Sequence, residues 1–348
     1  MTGPDLKDLI RRHAAELGFA GARIAPAGVV PEFHRFQHWL EAGLHAGMGY
    51  MARHLAVRRD SRRLLDGARS VICLAASYAP EVGDKECLIA RFARGGDYHR
   101  VLKTRGRRLI QAIRRAEPSF GGRVFVDAGP IMERSLAAVC GLGWIGDNGC
   151  LFVPGCGSYV VLCEVVCNLP LEADAPIQSR CTHCGRCRAA CPTGALQADG
   201  LVDARRCRGY LTIEHPGHID PEHWPAMAGT LFGCDDCQQA CPHNQHPGPG
   251  DGELTNSGTY PAAPALADVL GWREQDWDAF TGGRALRRLG YPGWLRNAIL
   301  AAGAAKDLSA QQARALYLRL TQLRRQTDPT RQLRHELDWA IQRLHGRL

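Results

Sequence analysis

Three textures of apolar and polar positions follow one another along the 348 residues. Up to about residue 170, stretches with helical periodicity alternate with short runs rich in Val, Ile and Leu. The N-terminal MTGPDLKDLIRRHAAELGF is an amphipathic helix pattern, and 101–116 (VLKTRGRRLIQAIRRA) and 130–140 (PIMERSLAAVC) are two more. The last of these opens on Pro130, a residue favoured in a first helical turn. SVICLAASY (70–78), RVFVD (123–127) and SYVVLCEVVC (158–167) predict strands. Alternating helices and strands predict an α/β domain over residues 1–172. Residues 173–250 hold cysteine runs and little regular periodicity. HNQHPGPGDGELTNSGTYP (243–261) is rich in Gly, Pro, Asn and Ser and predicts a linker. Residues 260–348 predict only helices, arranged as two or more hairpin pairs.

Composition narrows the class. A hydrophobic content of 45% is ample for two or three packed cores. No run approaches the roughly 18 apolar residues of a membrane span. The N-terminal helix carries charges throughout, and Arg11-Arg12 is followed by His13 and Glu16 where a twin-arginine signal would have an apolar run. These features predict a soluble, cytoplasmic chain. The net charge of +8 is unevenly placed: thirteen Arg/Lys and four Asp/Glu from Thr281 to Leu348 give +9, and the rest sums to −1. Such a bias is the footprint of a polyanion partner, RNA or DNA foremost, with a solvated arginine-rich helix face as the plain alternative.

Fifteen cysteines are many for this length, and in a reducing compartment clustered Cys-x-x-Cys spacings mean metal. Cys181, Cys184, Cys187 and Cys191, followed by Pro192, give the C-x2-C-x2-C-x3-C-P run of two-cluster ferredoxins. A second run has Cys207 displaced upstream, then Cys234, Cys237, Cys241 and Pro242. In such a pair the fourth cysteine of each run serves the other cluster. One cluster then takes Cys181, Cys184, Cys187 and Cys241, and the other takes Cys191, Cys207, Cys234 and Cys237. Tetrahedral zinc could use any four thiolates, but the prolines and three-residue gaps favour two [4Fe-4S] clusters. The remaining seven (Cys73, Cys87, Cys140, Cys150, Cys156, Cys163 and Cys167) lack ligand spacing and are expected as small buried hydrophobes.

GLGWIG (141–146) spells a dinucleotide fingerprint, but a helix pattern precedes it and a loop follows, the reverse of what that site requires. Asp97-Tyr98-His99 resembles the start of a corrinoid D-x-H-x-x-G motif, which fails because Leu102 stands where glycine is needed. Asp127 ends a predicted strand. In open α/β sheets the carboxyl ends of strands border the ligand crevice, and a carboxyl among apolar neighbours there can be held protonated as a general acid. Capping of a turn is the alternative for such an aspartate.

Together these stretches resemble the epoxyqueuosine reductase family, the cobalamin- and iron–sulfur-dependent enzymes of tRNA queuosine synthesis. The resemblance runs in order through WLEAGLHAGMGYM (39–51), DYHRVL (97–102), VDAGPIMER (126–134), GLGWIGDN (141–148), CTHCGRCRAACPTGAL (181–196), DARRCRGYLTIEH (203–215), GCDDCQQACPHN (233–244) and WLRNAIL (294–300). It implies an α/β cobalamin-binding domain (1–172), a ferredoxin-like domain with two clusters (173–250) and a C-terminal helical-repeat, HEAT-like domain that binds tRNA (260–348). The implied reaction is the last step of queuosine synthesis. Epoxyqueuosine at the wobble position of tRNA gains two electrons and two protons and loses the epoxide oxygen as water. Electrons would pass from an external donor through the clusters to cobalamin, the cluster of Cys191, Cys207, Cys234 and Cys237 being the nearer one. Asp127 maps onto the family's general acid. Arg58, Leu151, Leu162 and Asp235, with Asp127, are the expected cobalamin contacts. Arg134, Arg284, Arg287, Arg288 and Arg296 are the expected contacts to the anticodon stem-loop, and a monomer is expected.

The chain departs from the family pattern at Asp147, where Lys is common, at His243 (Trp) and at Cys163 (Gly). The first reverses a charge near the expected site. Two other readings share part of this chemistry. A corrinoid reductive dehalogenase uses the same cofactors but gives no reason for the basic tail. An iron–sulfur electron-transfer protein leaves the first domain and Asp127 without a role.

Overall fold

The computed structural model describes residues 3–79, 88–255, 264–325 and 333–348. Cys87, residues 256–261 of the expected linker and residues 326–332 of the expected helical region lie outside the described residues. The first part of the chain runs α1 (Gly3–Glu16), β1 (Gly21–Pro26), α2 (Phe33–Glu41), α3 (Leu55–Arg59), β2 (Ser70–Ser77), α4 (Tyr98–Ala116), β3 (Gly122–Phe125), α5 (Glu133–Val139), β4 (Trp144–Ile145), β5 (Leu151–Phe152) and β6 (Val160–Cys167). Four strands form one sheet in the order β1-β2-β6-β3, and every neighbouring pair is antiparallel. Helices and strands do alternate. Because the sheet is not parallel, however, the rule that ligands sit beyond the carboxyl ends of parallel strands does not place the site. Two boundaries also move: β3 stops at Phe125, leaving Asp127 in the following loop, and α5 starts at Glu133, leaving Pro130 outside it.

All eight residues of β2 are buried because both faces of the sheet are covered. Ile72, Leu74 and Ala76 pack with Ile10 of α1 and Leu102 and Leu109 of α4. Val71, Cys73 and Ala75 face Leu136 and Ala137 of α5. This double burial is why SVICLAAS reads as a continuous apolar run with no alternation. GLGWIG follows α5 and enters the small β4–β5 hairpin, so it has neither the preceding strand nor the following helix of a dinucleotide site.

The cysteine-rich segment contains only short helices, α6 (Arg186–Ala190), α7 (Arg208–Ile213) and α8 (Asp236–Gln239). It is joined to β6 by a buried amide network. Gln238 Nε2 donates to Ser158 O at 2.9 Å, and Asn244 Nδ2 donates to Ser158 Oγ at 2.8 Å and Gln238 O at 2.7 Å. Asn244 Oδ1 accepts from Ser158 N–H at 2.7 Å. Gly157, at φ 65°, permits this approach, since a Cβ there would fall 2.1 Å from Asn244 Oδ1. The described part of the expected linker is docked on the first part of the chain. Asp251 and Glu253 both pair with Arg105 of α4, and Leu254 is buried in the core under α1 and α4. Glycine- and proline-rich composition here marks a turning chain that is nonetheless packed.

The last part comprises α9 (Leu266–Val269), α10 (Glu274–Thr281), α11 (Gly290–Ala304), α12 (Ala310–Arg325) and α13 (Arg334–His345). Helix α11 is buried from Trp294 to Ala304, and α13 crosses it so closely that a Cβ on Gly303 would meet the Trp339 ring at 2.5 Å. Its core continues into Ile89, Ala93, Leu231 and Phe232, so the helices share one interior with the rest of the chain.

Two arginines expected to contact RNA belong to that interior. Arg296 is 2% exposed and donates to the carbonyls of Leu211, His215 and Gly217 at 2.6–2.8 Å. Burial pulls its guanidinium down to about 10, which still leaves it charged at neutral pH. Arg284 is 3% exposed, donates to Arg94 O and lies over the Phe280 ring. Both tie the helices to the segments beneath them, and neither presents a charge to a partner. Arg296→Ala leaves three carbonyls unsatisfied at roughly 1–3 kcal/mol each. The expected loss is about 3 kcal/mol or more of unfolding free energy, read from the shift in a urea denaturation midpoint.

Candidate active site and thiol clusters

The eight thiols gather in two sets. Cys241 is acted on electrostatically by Cys187, Cys184 and Cys181. Cys237 is acted on by Cys234 and Cys207, and Cys207 by Cys191. These are the crossed sets that the ferredoxin pairing demands, and four cysteines each fit the donor chemistry of a cubic cluster. Cys184 of the first set is exposed. In the second set burial pushes the Cys234 thiol up to about 11, so binding iron there must displace protons.

Cys150 was expected to be a small buried hydrophobe. Its thiol instead lies against Cys237, in a turn where Asn148 holds both Cys150 N–H and Cys237 O. Cys73, Cys140, Cys156, Cys163 and Cys167 are buried as expected. Of the departures, Asp147 accepts from the His183 ring at 2.8 Å beside Cys181, and His243 donates to Arg180 O against Trp144.

Asp127 sits in the loop between β3 and α5 with φ 53°, a left-handed conformation uncommon for aspartate. The loop is held from below. Asp127 N–H donates to Glu133 Oε1 at 2.6 Å, and Glu133 opens α5. Its carboxylate is held from the side by the first turn of α4. Tyr98 Oη–H donates to Asp127 Oδ2 at 2.7 Å, and His99 Nε2 lies 3.2 Å from the same oxygen. His99 Nδ1 in turn lies 2.7 Å from Asp97 Oδ1, which also caps α4 by accepting from His99 N–H. The DYH triplet is therefore a helix cap followed by two side chains aimed at Asp127. The sequence reading tested these residues only as a corrinoid motif and missed that role.

The protonation states follow. Burial alone would lower the His99 imidazole, but the carboxylates of Asp127 and Asp97 outweigh it and push it up to about 9. Asp127 is 57% exposed, yet the surrounding protein desolvates it and would raise its pKa. The hydrogen bonds from His99 and Tyr98 win, and the carboxyl is held below the usual range. The expectation of a carboxyl kept neutral by apolar neighbours is corrected to an aspartate–imidazolium pair that shares one proton.

Beneath it, burial and then Asp127 push Glu133 up to about 7. Glu164 of β6 is fully buried and held well above the carboxylate range by burial and by Glu133. The two carboxyls face each other without a well-formed hydrogen bond to Glu164. Two carboxylates so placed cannot both ionise. A lone glutamate within VVLCEVVC was the sequence signal for this pair.

The expected cobalamin contacts divide. Leu151 (3% exposed) and Asp235 (6%) are enclosed by protein, so their side chains do not line an open surface. Leu151 belongs to the core under α5. Asp235 accepts from Arg91 N–H at 2.9 Å and pins the turn between Cys234 and Cys237. Arg58 is buried at the end of α3, its guanidinium over Phe36 and its Nε without a hydrogen-bond partner. Leu162 is half-buried. Val160, Val161 and Leu162 all keep part of their surface open, although β6 is an interior strand and its other five residues are buried. Phe125 pairs with Glu164, so the loop to Asp127 runs alongside this open end of β6.

The remaining arginines expected at RNA are occupied. Arg134 is exposed and donates to Gly149 O, and Arg287 pairs with Asp278. Arg288 forms a two-pronged pair with Glu214 and lies over Tyr50, near enough to Asp127 to lower its pKa further.

Comparison with known proteins fits this arrangement. Residues 180–244 match the family model for a 4Fe-4S double cluster binding domain, and residues 58–128 match the model described as "Epoxyqueuosine reductase QueG, DUF1730". The epoxyqueuosine reductase of Pseudomonas aeruginosa is 36% identical, with 98% of this chain and 95% of that one covered. That of Escherichia coli is 36% identical over 86% of this chain and 81% of its own length. The structure of epoxyqueuosine reductase from Bacillus subtilis, solved with its catalytic aspartate loop swung out of the active site, is similar at a TM-score of 0.88 and 26% identity. It matches 99% of this chain and 91% of that one. A second structure, bound to an epoxyqueuosine-modified tRNA-Tyr stem loop, shares the fold at a TM-score of 0.82 and 24% identity, covering 99% of this chain and 100% of that one. With relatives at this identity over nearly its whole length, the chain belongs to the epoxyqueuosine reductase family.

Proposed function

We infer that the chain reduces epoxyqueuosine in tRNA to queuosine, with Asp127 supplying a proton to the departing epoxide oxygen. The observation that carries this reading is the line of β6. Ser158, two residues before it, is joined to Gln238 and Asn244 of the cluster segment; then Val160 and Leu162 stand half-open on one face, and the strand comes alongside the Asp127 loop. A redox group lying on that apolar surface would have the thiol sets at one end and a proton donor at the other. The residues present fit a corrinoid there: half-open Val160 and Leu162 on one face of the sheet, and in Arg58 a buried Nε–H lacking a partner. These residues would hold cobalamin, which when bound supplies the two-electron reduction of the epoxide.

The chain's own groups handle protons and position. The reaction consumes two electrons and two protons and releases water. At neutral pH the resident proton of the His99–Asp127 pair lies on His99 Nε2, 3.2 Å from Asp127 Oδ2. Passing it to Oδ2 leaves a neutral imidazole steadied at Nδ1 by Asp97 and a protonated Asp127 facing the substrate. Tyr98 fixes the carboxyl orientation, and Glu133 fixes the backbone of the loop. Solvent reaches the half-exposed Asp127 side chain and restores the proton after each turnover. The set that holds the exposed Cys184 is the entry for electrons from an external donor, and the set of Cys191, Cys207, Cys234 and Cys237, all half-buried, lies nearer the reaction. Residues 1–172, 173–250 and 260–348 divide the work as redox and substrate site, electron relay and helical support. Among the described residues no helix is long and apolar enough to cross a membrane, and we place the enzyme in the cytoplasm as a monomer.

Two outcomes check this. After anaerobic reconstitution with iron, sulfide and cobalamin, the protein should convert the modified nucleoside in tRNA, followed by its mass. Asp127→Asn should keep iron, sulfide and tRNA binding while turnover falls about 100-fold or more. Full turnover in that variant removes the proton-donor role, and absence of conversion by the wild type with clusters in place removes the function.

The second outcome is a pH dependence of stability. The His99 pKa is raised above its ordinary 6.5, so the pair's contribution is complete below that value and lost as pH rises through about 9. The Asp127 pKa is lowered, so the contribution also fades as pH falls below its ordinary 3.8. The difference in unfolding free energy between wild type and His99→Gln is therefore largest from about pH 4 to 6.5 and shrinks toward pH 10. A difference independent of pH across that range would show that His99 only packs.

A further inference from the structure

The geometry points to a second RNA-binding element outside the arginine-rich tail: the exposed face of α4 formed by Arg100, Lys103 and Arg107, which takes backbone phosphates of the RNA entering the Asp127 site. This rests on the functional reading above. Helix α4 carries no Asp or Glu along its 19 residues. Arg105 on its inner side is neutralised by Asp251 and Glu253, and Arg114 donates to Phe120 O. Arg100, Lys103 and Arg107 have no ion-pair partner among the described residues. Their spacing of three and four puts them on one face, with about 10 Å from first to last at 1.5 Å per residue.

With Asp97, His99 and Thr104 they line a groove of about 320 Å³. The one acidic group in it, Asp97, is already engaged by His99. Arg100 also acts on Asp97, yet with Lys103 and Arg107 added the groove keeps a net positive charge, and it is lined by the same His99 that contacts Asp127. Like charges at this spacing cost a helix a few tenths of a kcal/mol per pair. An anion laid along the face reverses the sign of that cost.

The contrast with the tail selects this surface. Arg284 and Arg296 are buried, and Arg287 and Arg288 are paired with carboxylates. A nucleotide whose modified base reaches into the Asp127 site leaves its own and its neighbours' phosphates at the mouth of that site. Arg134, whose one hydrogen bond goes to Gly149 O, follows Glu133, and on α4 three cations without carboxylate partners line the groove that includes His99. Phosphate contacts of this kind set register and orientation and leave base reading to other groups.

The test uses the reconstituted enzyme and an epoxyqueuosine-modified anticodon stem-loop. Binding is measured from 50 to 300 mM salt for the wild type, for Arg100→Gln/Lys103→Gln/Arg107→Gln, and for a control with Arg108→Gln/Arg115→Gln, two exposed charges of the same helix outside the groove. With about 0.7 of a unit per single-strand phosphate, the triple variant should lower the slope of log K against log salt by about 2. It should also raise Kd and KM at least tenfold, with kcat falling far less. The control should stay within about threefold. A triple variant with the wild-type Kd and slope overturns the assignment while leaving the function standing, as does a control that loses as much per charge. A wild type that neither binds nor converts the stem-loop overturns both.

Discussion

Eight thiols drawn from three separate stretches have to meet at two points, and most of the fold can be derived from that requirement. Each set borrows a ligand across the segment: Cys241 joins Cys181, Cys184 and Cys187, and Cys191 joins Cys207, Cys234 and Cys237. Short helices suffice locally because iron, not a hydrophobic core, is the intended centre. Tyr210, Leu211, Trp224 and Met227 pack the segment against α11, and buried polar contacts set its position more finely. Gln238 and Asn244 clamp Ser158 at the head of β6, Asp235 clamps Arg91, and Asn297 donates to Thr212 and Leu231 at 2.9 and 2.8 Å. Buried amides of this kind tolerate little displacement, since each unmatched group costs on the order of 1–3 kcal/mol. They therefore fix the thiol sets relative to the sheet more tightly than apolar contact would.

The same rigidity makes the convergence at Asp127 intelligible. An interior strand normally buries both faces, and β6 does so over five residues before opening at its first three. At that opening the loop after β3 turns through a left-handed residue that α5 holds by Glu133 and α4 holds by Tyr98 and His99. A loop pinned by side-chain hydrogen bonds, with no strand pairing, can be released. In this chain, release would break the ion pair and return His99 and Asp127 toward their ordinary pKa values, so loop position and proton position are one variable.

Legibility in the sequence followed the range of the interactions. Cysteine spacing is local chemistry, and it was enough to mark residues 180–244 as a double-cluster segment. The all-buried β2 and the long α4 were legible from apolar patterning. Antiparallel order was not, because strand direction depends on which strands pair, and no local pattern encodes that. Asp127 was singled out for a reason that does not apply, the end of a parallel strand, and the carboxyl expected to be neutral is held ionised because its partners His99 and Tyr98 lie 28 and 29 residues away in sequence. Leu151 and Asp235 stood out by position beside motifs, yet both are enclosed. The glycine- and proline-rich 243–255 was mistaken for a free linker because composition records turning, and the pairing of Arg105 with Asp251 and Glu253 is visible only in three dimensions.

Charge shows the same limit more sharply. A net +9 over the last 68 residues describes how many cations are there, but a field at the surface depends on which of them are already compensated. Arg296 spends its charge on three carbonyls of the segment that carries α7, and Arg288 spends its charge on Glu214 at the edge of the same segment. Both follow from a helical region that shares its core with the cluster segment, since a guanidinium with five donors is the side chain best suited to satisfy loop carbonyls at such a junction. Helix α4 is the converse case. Its inner face is committed to the sheet, its one buried arginine is satisfied, and the cations left over point outward beside the His99–Asp127 pair. Positive charge that is surplus after the fold has been satisfied is the part available to a polyanion, and in this chain that surplus next to the chemistry lies in the first domain.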